Sequence, residues 1–452
     1  MIYDFDKPVN RFGTNCYKHD EMPNQDTIAL WVADMDFETA PVVQQAVKAR
    51  MEHGCFGYTL VPDTYYDASI RWFARRHGWQ TQREWYIYTG GVVPAVSAII
   101  KAVKNYQPGA TAQDLVGEPN TSHVKVLVQT PAYNCFFSSI LNNNCLLEEN
   151  RLVYNNGYYT IDWDDFERKC SDNDVKIFLL CNPHNPSGRV WTVDELRRMG
   201  AICKKHNVFV ISDEIHCEFV NPIAPQVSAA PQAPTEGGCN RMNSTGNEAS
   251  SQNILLPSLV EGYGGGSAYT PFASVSDAPC AVCVSPSKAF NIAGLQIANI
   301  IVHDEAIRNR IDKAININEC CDVNPFGVIA LQAAYTLEGE EWLTQLNDYI
   351  YGNYACACEY IKENMPELTV TPLEGTYLMW VNVSAWGRPS DELAQYLLDE
   401  ANVCVNAGMM YGDVTGRDFI RINLATQRAR LMEGLRRIKE KKPLLTSPKG
   451  RN

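Results

Sequence analysis

The stretch Val284-Ser-Pro-Ser-Lys288-Ala-Phe290 decides how the rest of this chain is read. It continues the apolar run Cys280-Ala-Val-Cys283, which has the composition of a buried strand. A lysine among small hydroxyl residues, just past such a strand, sits at the C-terminal edge of a sheet, where open α/β folds bind ligands. Desolvation there lowers the ammonium pKa and makes the amine nucleophilic. Most lysines are solvated surface charges, so the reading depends on what flanks this one.

Upstream, from about residue 85 to 303, short β-like runs alternate with helical segments. Strands are expected at Tyr86–Thr89, Val124–Gln129, Lys176–Cys181, Val208–Ser212, Ala281–Val284 and Ala298–Val302. Helices are expected at Pro94–Val103 and Thr192–His206, the second opened by a capping box, Thr192-Val-Asp-Glu195. This alternation predicts an α/β fold with a mostly parallel sheet. The segment Pro222–Thr270 is rich in Pro, Gly, Ser and Asn and too long for an ordinary connection. It reads as an inserted surface loop, with a lid over the site as the functional alternative. After about residue 310 the chain is helix-rich, with a strand at Thr376–Val381, and the tail from Lys439 reads as frayed.

Three further strand ends carry candidate chemistry. Val210-Ile-Ser-Asp213-Glu-Ile-His216 puts a carboxylate at the end of a buried strand, where a structural cap is the plain alternative. Leu180-Cys-Asn-Pro-His-Asn185-Pro-Ser-Gly188 forms tight turns that expose the Asn185 amide, unremarkable as an isolated turn. Tyr88-Thr-Gly-Gly91-Val-Val-Pro94 joins a strand to a helix, and glycines before a helix N-terminus let backbone N–H groups approach a phosphate. Its spacing is neither the P-loop nor the dinucleotide fingerprint.

The chain has 452 residues, 45% hydrophobic and 20% charged, enough for a large core and more than one domain. Its 39 Lys and Arg against 52 Asp and Glu leave a net charge of −13, which disfavours nucleic acid or anionic membrane as partners. No apolar stretch reaches the ~20 residues of a membrane span. The acidic start, Met1-Ile-Tyr-Asp-Phe-Asp6, lacks a secretion pattern and predicts a cytoplasmic protein. The 16 scattered Cys read as reduced thiols, and no Cys/His spacing resembles a zinc site, so no metal is expected.

Taken together and in this order, Asn182-Pro-His-Asn-Pro-Ser-Gly188, Ser212-Asp-Glu214 and Ser285-Pro-Ser-Lys288 resemble the fold-type I pyridoxal-phosphate (PLP) enzymes of the aspartate aminotransferase superfamily. Trp31-Val-Ala-Asp-Met-Asp-Phe37, Phe56-Gly-Tyr58, Ser212-Asp-Glu-Ile-His216, Ser287-Lys-Ala-Phe-Asn-Ile-Ala-Gly294 and Glu374-Gly-Thr-Tyr377 bring it nearer the MalY/PatB-type cystathionine β-lyases. The resemblance implies a PLP-transferase-like large domain over 45–310, interrupted by 222–270. A smaller α+β domain would be built from residues 1–44 and 311–452.

It also implies roles. Lys288 would hold pyridoxal 5'-phosphate as a Schiff base and shuttle the Cα proton. Asp213 would pair with the pyridine nitrogen, Asn185 with the phenolic oxygen, and Tyr133 would stack on the ring. Gly91, Val92 and Val93 would hold the phosphate, with Ser285 and Ser287 nearby. Tyr58 would reach the phosphate of a neighbouring subunit, so a homodimer is expected. Arg421 would clamp the substrate carboxylate, its bland alternative being a structural ion pair, and Ala33 and Asn185 would also face the substrate. Two positions depart from aminotransferases: Gln296 stands where many carry a phosphate-binding arginine, and His216 where many carry a tyrosine. Both fit the lyase subgroup. The implied reaction is β-elimination from L-cystathionine or a related cysteine S-conjugate, giving thiol, pyruvate and ammonia. An aminotransferase shares most of these residues, and a PLP-binding regulatory protein is the alternative from another class.

Overall fold

The alternation becomes one large sheet in the computed structural model, which describes residues 1–105, 123–221, 269–317 and 322–443. The chain opens with the single turn α1 (Tyr17–Asp20), the short strand β1 (Ile28–Ala29) and helices α2 (Pro41–Glu52) and α3 (Asp63–His77). Strand β2 (Tyr86–Thr89), helix α4 (Val92–Val103), strand β3 (Lys125–Thr130), helix α5 (Asn134–Asn142) and strand β4 (Leu146–Arg151) follow. A hairpin of β5 (Val153–Asn155) and β6 (Tyr158–Thr160) leads to α6 (Trp163–Cys170). Next come β7 (Val175–Cys181), α7 (Val193–Lys205), β8 (Phe209–Asp213), α8 (Phe272–Val275), β9 (Cys280–Val284) and β10 (Ala298–Ile301).

Helices α9 (Glu305–Asn316), α10 (Pro325–Ala334) and α11 (Leu337–Asn364) precede a second set of strands. These are β11 (Thr369–Val370), β12 (Leu378–Asn382), β13 (Val403–Cys404), β14 (Asn406–Ala407) and β15 (Phe419–Asn423). Helix α12 (Ser390–Ala401) lies between β12 and β13, and α13 (Arg428–Glu440) ends the described chain.

The seven-stranded sheet has the order β2-β10-β9-β8-β7-β3-β4, with β10 alone antiparallel to its neighbours. Its central strands are apolar on both faces. Ile177, Leu179 and Ile211 pack with α4 and α5 residues such as Ile99 and Phe136. Phe178, Leu180 and Val210 pack on the other side with Leu196 and Met199 of α7. Two covered faces explain why these runs show no polar alternation. The Thr192–Glu195 capping box is formed: the Thr192 hydroxyl accepts from the Glu195 N–H, and the Glu195 carboxylate accepts from the Thr192 N–H.

A four-stranded antiparallel sheet, β11-β12-β15-β14, follows it in the chain. Strand β1 pairs in parallel with β13, which ties the N-terminal segment to the C-terminal one. The helix α13 runs through Lys439 to Glu440 instead of fraying there, because Leu431, Leu435 and Ile438 are buried and Arg436 and Arg437 pair with Glu433. Of the proposed insertion Pro222–Thr270, only Tyr269 and Thr270 are among the described residues. No described helix is long and apolar enough to cross a membrane.

Candidate active site

With β10 the single reversed strand, β2, β3, β7, β8 and β9 all end at one edge of the sheet. A cleft with a cavity volume of about 200 Å³ opens there. Its walls include Gly91, Val92 and Val93 at the start of α4, Tyr133, Asn185, Asp213 and His216 after three other strands, Ser287 and Lys288 after β9, and Ala33 from the N-terminal segment. Most of the sequence candidates therefore converge on one place. Two do not line it. The Ser285 hydroxyl donates to the Ile297 carbonyl and accepts from the Ser287 N–H, behind the wall. Tyr58 is 97% exposed on the loop between α2 and α3.

Several of these groups lack the partner their chemistry asks for. Asp213, the last residue of β8, is buried, and among the described residues its carboxylate accepts only from the Ile215 N–H, at 3.1 Å. Burial lifts its carboxyl to about 6, opposed by that hydrogen bond and by the charge of Lys288. Lys288 Nζ donates to the Ala33 carbonyl at 2.6 Å. Its pKa is lowered by burial and then by Arg421, against Asp34, Asp213 and Cys135. His216 is held well below its ordinary pKa, by burial first and then by Lys288 and Arg421, and its buried Nδ1 has no partner among the described residues.

Arg421, in the middle of β15, donates to Asn185 Oδ1 at 3.2 Å and to the Trp31 carbonyl at 2.9 Å, and lies over the Tyr411 ring. Its Nε is buried without a partner, and no carboxylate pairs with it among the described residues. The structural ion pair considered from the sequence is therefore absent there. At the other end, Gly91 precedes α4 as its N-cap and has no side chain to cap it, so the first N–H groups of the helix can bind an anion. The cleft thus offers a site for an anion at α4, a buried acid and an amine, with the Arg421 guanidinium, which no carboxylate meets among the described residues, behind Asn185.

One wall was not anticipated as a unit. Residues 31–37 form neither helix nor strand, yet every backbone carbonyl among them accepts from a side chain. Arg421 and Asn406 bind Trp31, Asn423 binds Val32 and Asp34, and Lys288 and Tyr377 bind Ala33. Arg11 and Asn291 bind Met35, Gln427 binds Asp36, and Asn291 binds Phe37. Tyr377, fully buried, also meets the His216 ring edge-on at 5.6 Å. Sequence reasoning noted its segment but gave it no role, and no periodic pattern marks it. Cys181, Ile215, Ala293 and Ile297 also line the cleft without having been singled out.

Residues 25–438 match the family described as aminotransferase class I and II. The cystathionine beta-lyase PatB of Bacillus subtilis is 34% identical over 443 residues, spanning 96% of this chain and 99% of that protein. The crystal structure of a PLP-bound putative aminotransferase from Clostridium difficile 630 superposes with a TM-score of 0.81 at 35% identity, covering 97% of this chain and all of that one. Cystalysin from Treponema denticola, whose crystal structure contains a pyridoxal 5'-phosphate cofactor, gives the same TM-score at 28% identity, covering 98% and 99%. With most of its length matched, and with its cleft at the strand ends where that fold binds ligands, the chain belongs to the aminotransferase class I and II family.

Proposed function

We propose that this protein is a pyridoxal-phosphate-dependent carbon–sulfur β-lyase acting on L-cystathionine or a related cysteine S-conjugate. The observation that carries the reading is the set of groups gathered at one cleft: Lys288, Asp213 and the N-terminus of α4 in its wall, and Arg421 behind Asn185. That set fits the cofactor. The α4 N–H groups suit its phosphate, Asp213 its ring nitrogen, Asn185 its phenolic oxygen, Tyr133 a ring face, and Lys288 its aldehyde. Gly91, Val92, Val93 and Ser287 line the phosphate end, with Ser285 behind them. The PLP-bound relatives and the lyase PatB support the assignment. When bound, the cofactor supplies an electron sink for the pair released from the Cα–H bond.

The residues of the chain supply the rest. Arg421 binds the substrate carboxylate through its planar fork, with Asn185 and Ala33 beside it. Lys288 Nζ, whose lowered pKa favours the free base, takes the Cα proton. The Cβ–S bond breaks, the thiolate leaves with a proton from the site, and water completes release of pyruvate and ammonia. Asp213 would be held ionised by the protonated ring nitrogen of the cofactor. His216, neutral in this setting, contributes no positive charge to the cleft.

An aminotransferase is the second reading, favoured by the name of the Clostridium difficile relative. Incubating the PLP-loaded protein anaerobically with L-cystathionine separates the two. Stoichiometric pyruvate and thiol are expected without any keto acid; amino transfer that starts only when a keto acid is added would overturn the lyase reading.

We further propose a cytoplasmic homodimer. The thiols of the described residues are free, and Phe56, Tyr58 and Leu60 form an exposed apolar run of the kind that pairs with a second copy. The division into a large domain at 45–310 and a small one from 1–44 and 311–452 belongs to the same proposal.

A further inference from the structure

Ala33 gives its carbonyl to Lys288, and what fixes Ala33 lies outside the cleft. The strap 31–37 is gripped by the turn α1 on both sides of that residue. Before it, the Trp31 indole N–H donates to the Lys18 carbonyl at 3.0 Å. After it, Asp36 accepts from Lys18 Nζ at 3.0 Å, His19 Nε2 at 2.9 Å and Arg11 Nη1 at 3.0 Å. Lys18 is fully buried and Asp36 nearly so. Arg11 also pairs with Asp34 at 2.6 Å, so one guanidinium bridges both strap carboxylates.

A buried ion cluster is an expensive way to hold a loop, because desolvation offsets much of the attraction. What it supplies over an apolar anchor is a single allowed geometry, since each charge must meet its own partner. We propose that Asp36, with Lys18 and Arg11, is a positioning residue for Lys288: the cluster fixes the strap so that the Ala33 carbonyl meets the Lys288 amine. This rests on the reading of Lys288 as the cofactor-bearing amine. An acceptor on the ammonium favours the charged form, so the contact sets the pH at which Lys288 becomes nucleophilic. The other charged or titratable groups acting on Lys288 are Arg421, Asp213, Asp34 and Cys135, with neutral His216 also in the cleft.

The test uses the full-length cofactor-free protein, with Lys288 labelled by a small acylating reagent across pH and read by peptide mass spectrometry. Asp36→Asn is expected to lower the labelling midpoint by about one pH unit, and Arg11→Lys, which keeps the charge but loses the fork across both strap carboxylates, to lower it by less. An unchanged or raised midpoint in folded variants overturns the proposal. Arg11 is the more exposed member of the cluster, so the charge-keeping Arg11→Lys carries the test if Asp36→Asn fails to fold. Absorbance of the PLP-loaded proteins, titrated over the same range, is expected to move in the same direction. If the wild type fails to bind PLP at Lys288, the functional reading falls, while the labelling midpoints still decide the positioning.

Discussion

Asp213 on the cleft floor and Asp36 on the N-terminal strap are both buried carboxylates, and their surroundings are opposite. Asp36 meets Lys18, His19 and Arg11; burial pushes its pKa up, but the charge of Lys18 and the hydrogen bonds from Lys18 and His19 hold it far below the usual carboxylate range. Asp213 meets one backbone N–H, and burial carries it up to about 6. The contrast extends to their regions. Every strap carbonyl is bonded, whereas among the described residues the floor gives Asp213 no paired cation, Arg421 no anion and His216 Nδ1 no partner. Saturated polar groups hold a structure together, and unsaturated ones mark where a ligand completes it. Changes on the floor should therefore reduce chemistry and spare stability, and changes in the strap should first reduce stability.

The largest effect is expected from Lys288→Ala. It removes the group assigned to both cofactor attachment and proton transfer, so turnover should fall at least ~10³-fold. Thermal unfolding of the cofactor-free protein should barely move, because Lys288 makes one hydrogen bond. Near-normal pyruvate release by the variant would remove Lys288 from the mechanism. Arg421→Lys comes next, with kcat/KM lowered by about 10²-fold, since an ammonium cannot reproduce a bidentate clamp. A loss of that size confined to KM would assign Arg421 to ground-state binding alone.

On the strap side, Asn423→Ala deletes the donor to Val32 and Asp34 and the acceptor for the Ala425 N–H, all at a fully buried position. Each orphaned buried group costs about 1 kcal/mol or more, so a loss of about 2–3 kcal/mol is expected in denaturant unfolding. A variant with wild-type stability would mean the strap is not held in the way its hydrogen bonds indicate.

The same contrast explains what could be read from the chain. Lys288, Asp213 and Asn185 follow strands whose apolar runs announce themselves, and their place at one edge follows from parallel topology. Strands were placed within a residue or two, as at Tyr86–Thr89 and Val175–Cys181. The strap has no period: its shape is set by Asn291, Asn406, Asn423 and Gln427, donors brought in from residues more than 250 positions away. Asparagine and glutamine in a sequence do not declare which backbone they will bind. Trp31–Phe37 was thus visible as a resemblance but not as a structure. Edge strand β4, with the polar run Leu146-Leu-Glu-Glu-Asn-Arg151, and the end of α13 escaped notice for a related reason, since their supports lie elsewhere in the fold.

Asp213→Asn probes the floor by the sign of its effect. The folded carboxyl titrates near 6, above its ordinary value of 3.8, so between these pH values the folded state binds more protons than the unfolded one. Stability contributed by the protonated form is present below about 3.8 and is lost as pH rises through 6. At neutral pH the ionised Asp213 therefore destabilises the cofactor-free protein, by about 2–3 kcal/mol on the scale of 1.4 kcal/mol per pKa unit. Asparagine keeps an acceptor for the Ile215 N–H and carries no charge, so the cofactor-free variant should unfold at a higher temperature than wild type at pH 8 and at nearly the same temperature at pH 4. Adding PLP should reverse the order at pH 8, because only the wild type offers a carboxylate to a protonated ring nitrogen. An equal difference at both pH values would mean that the charge of Asp213 is not what strains the floor, and the contrast with Asp36 would then rest on hydrogen bonding alone.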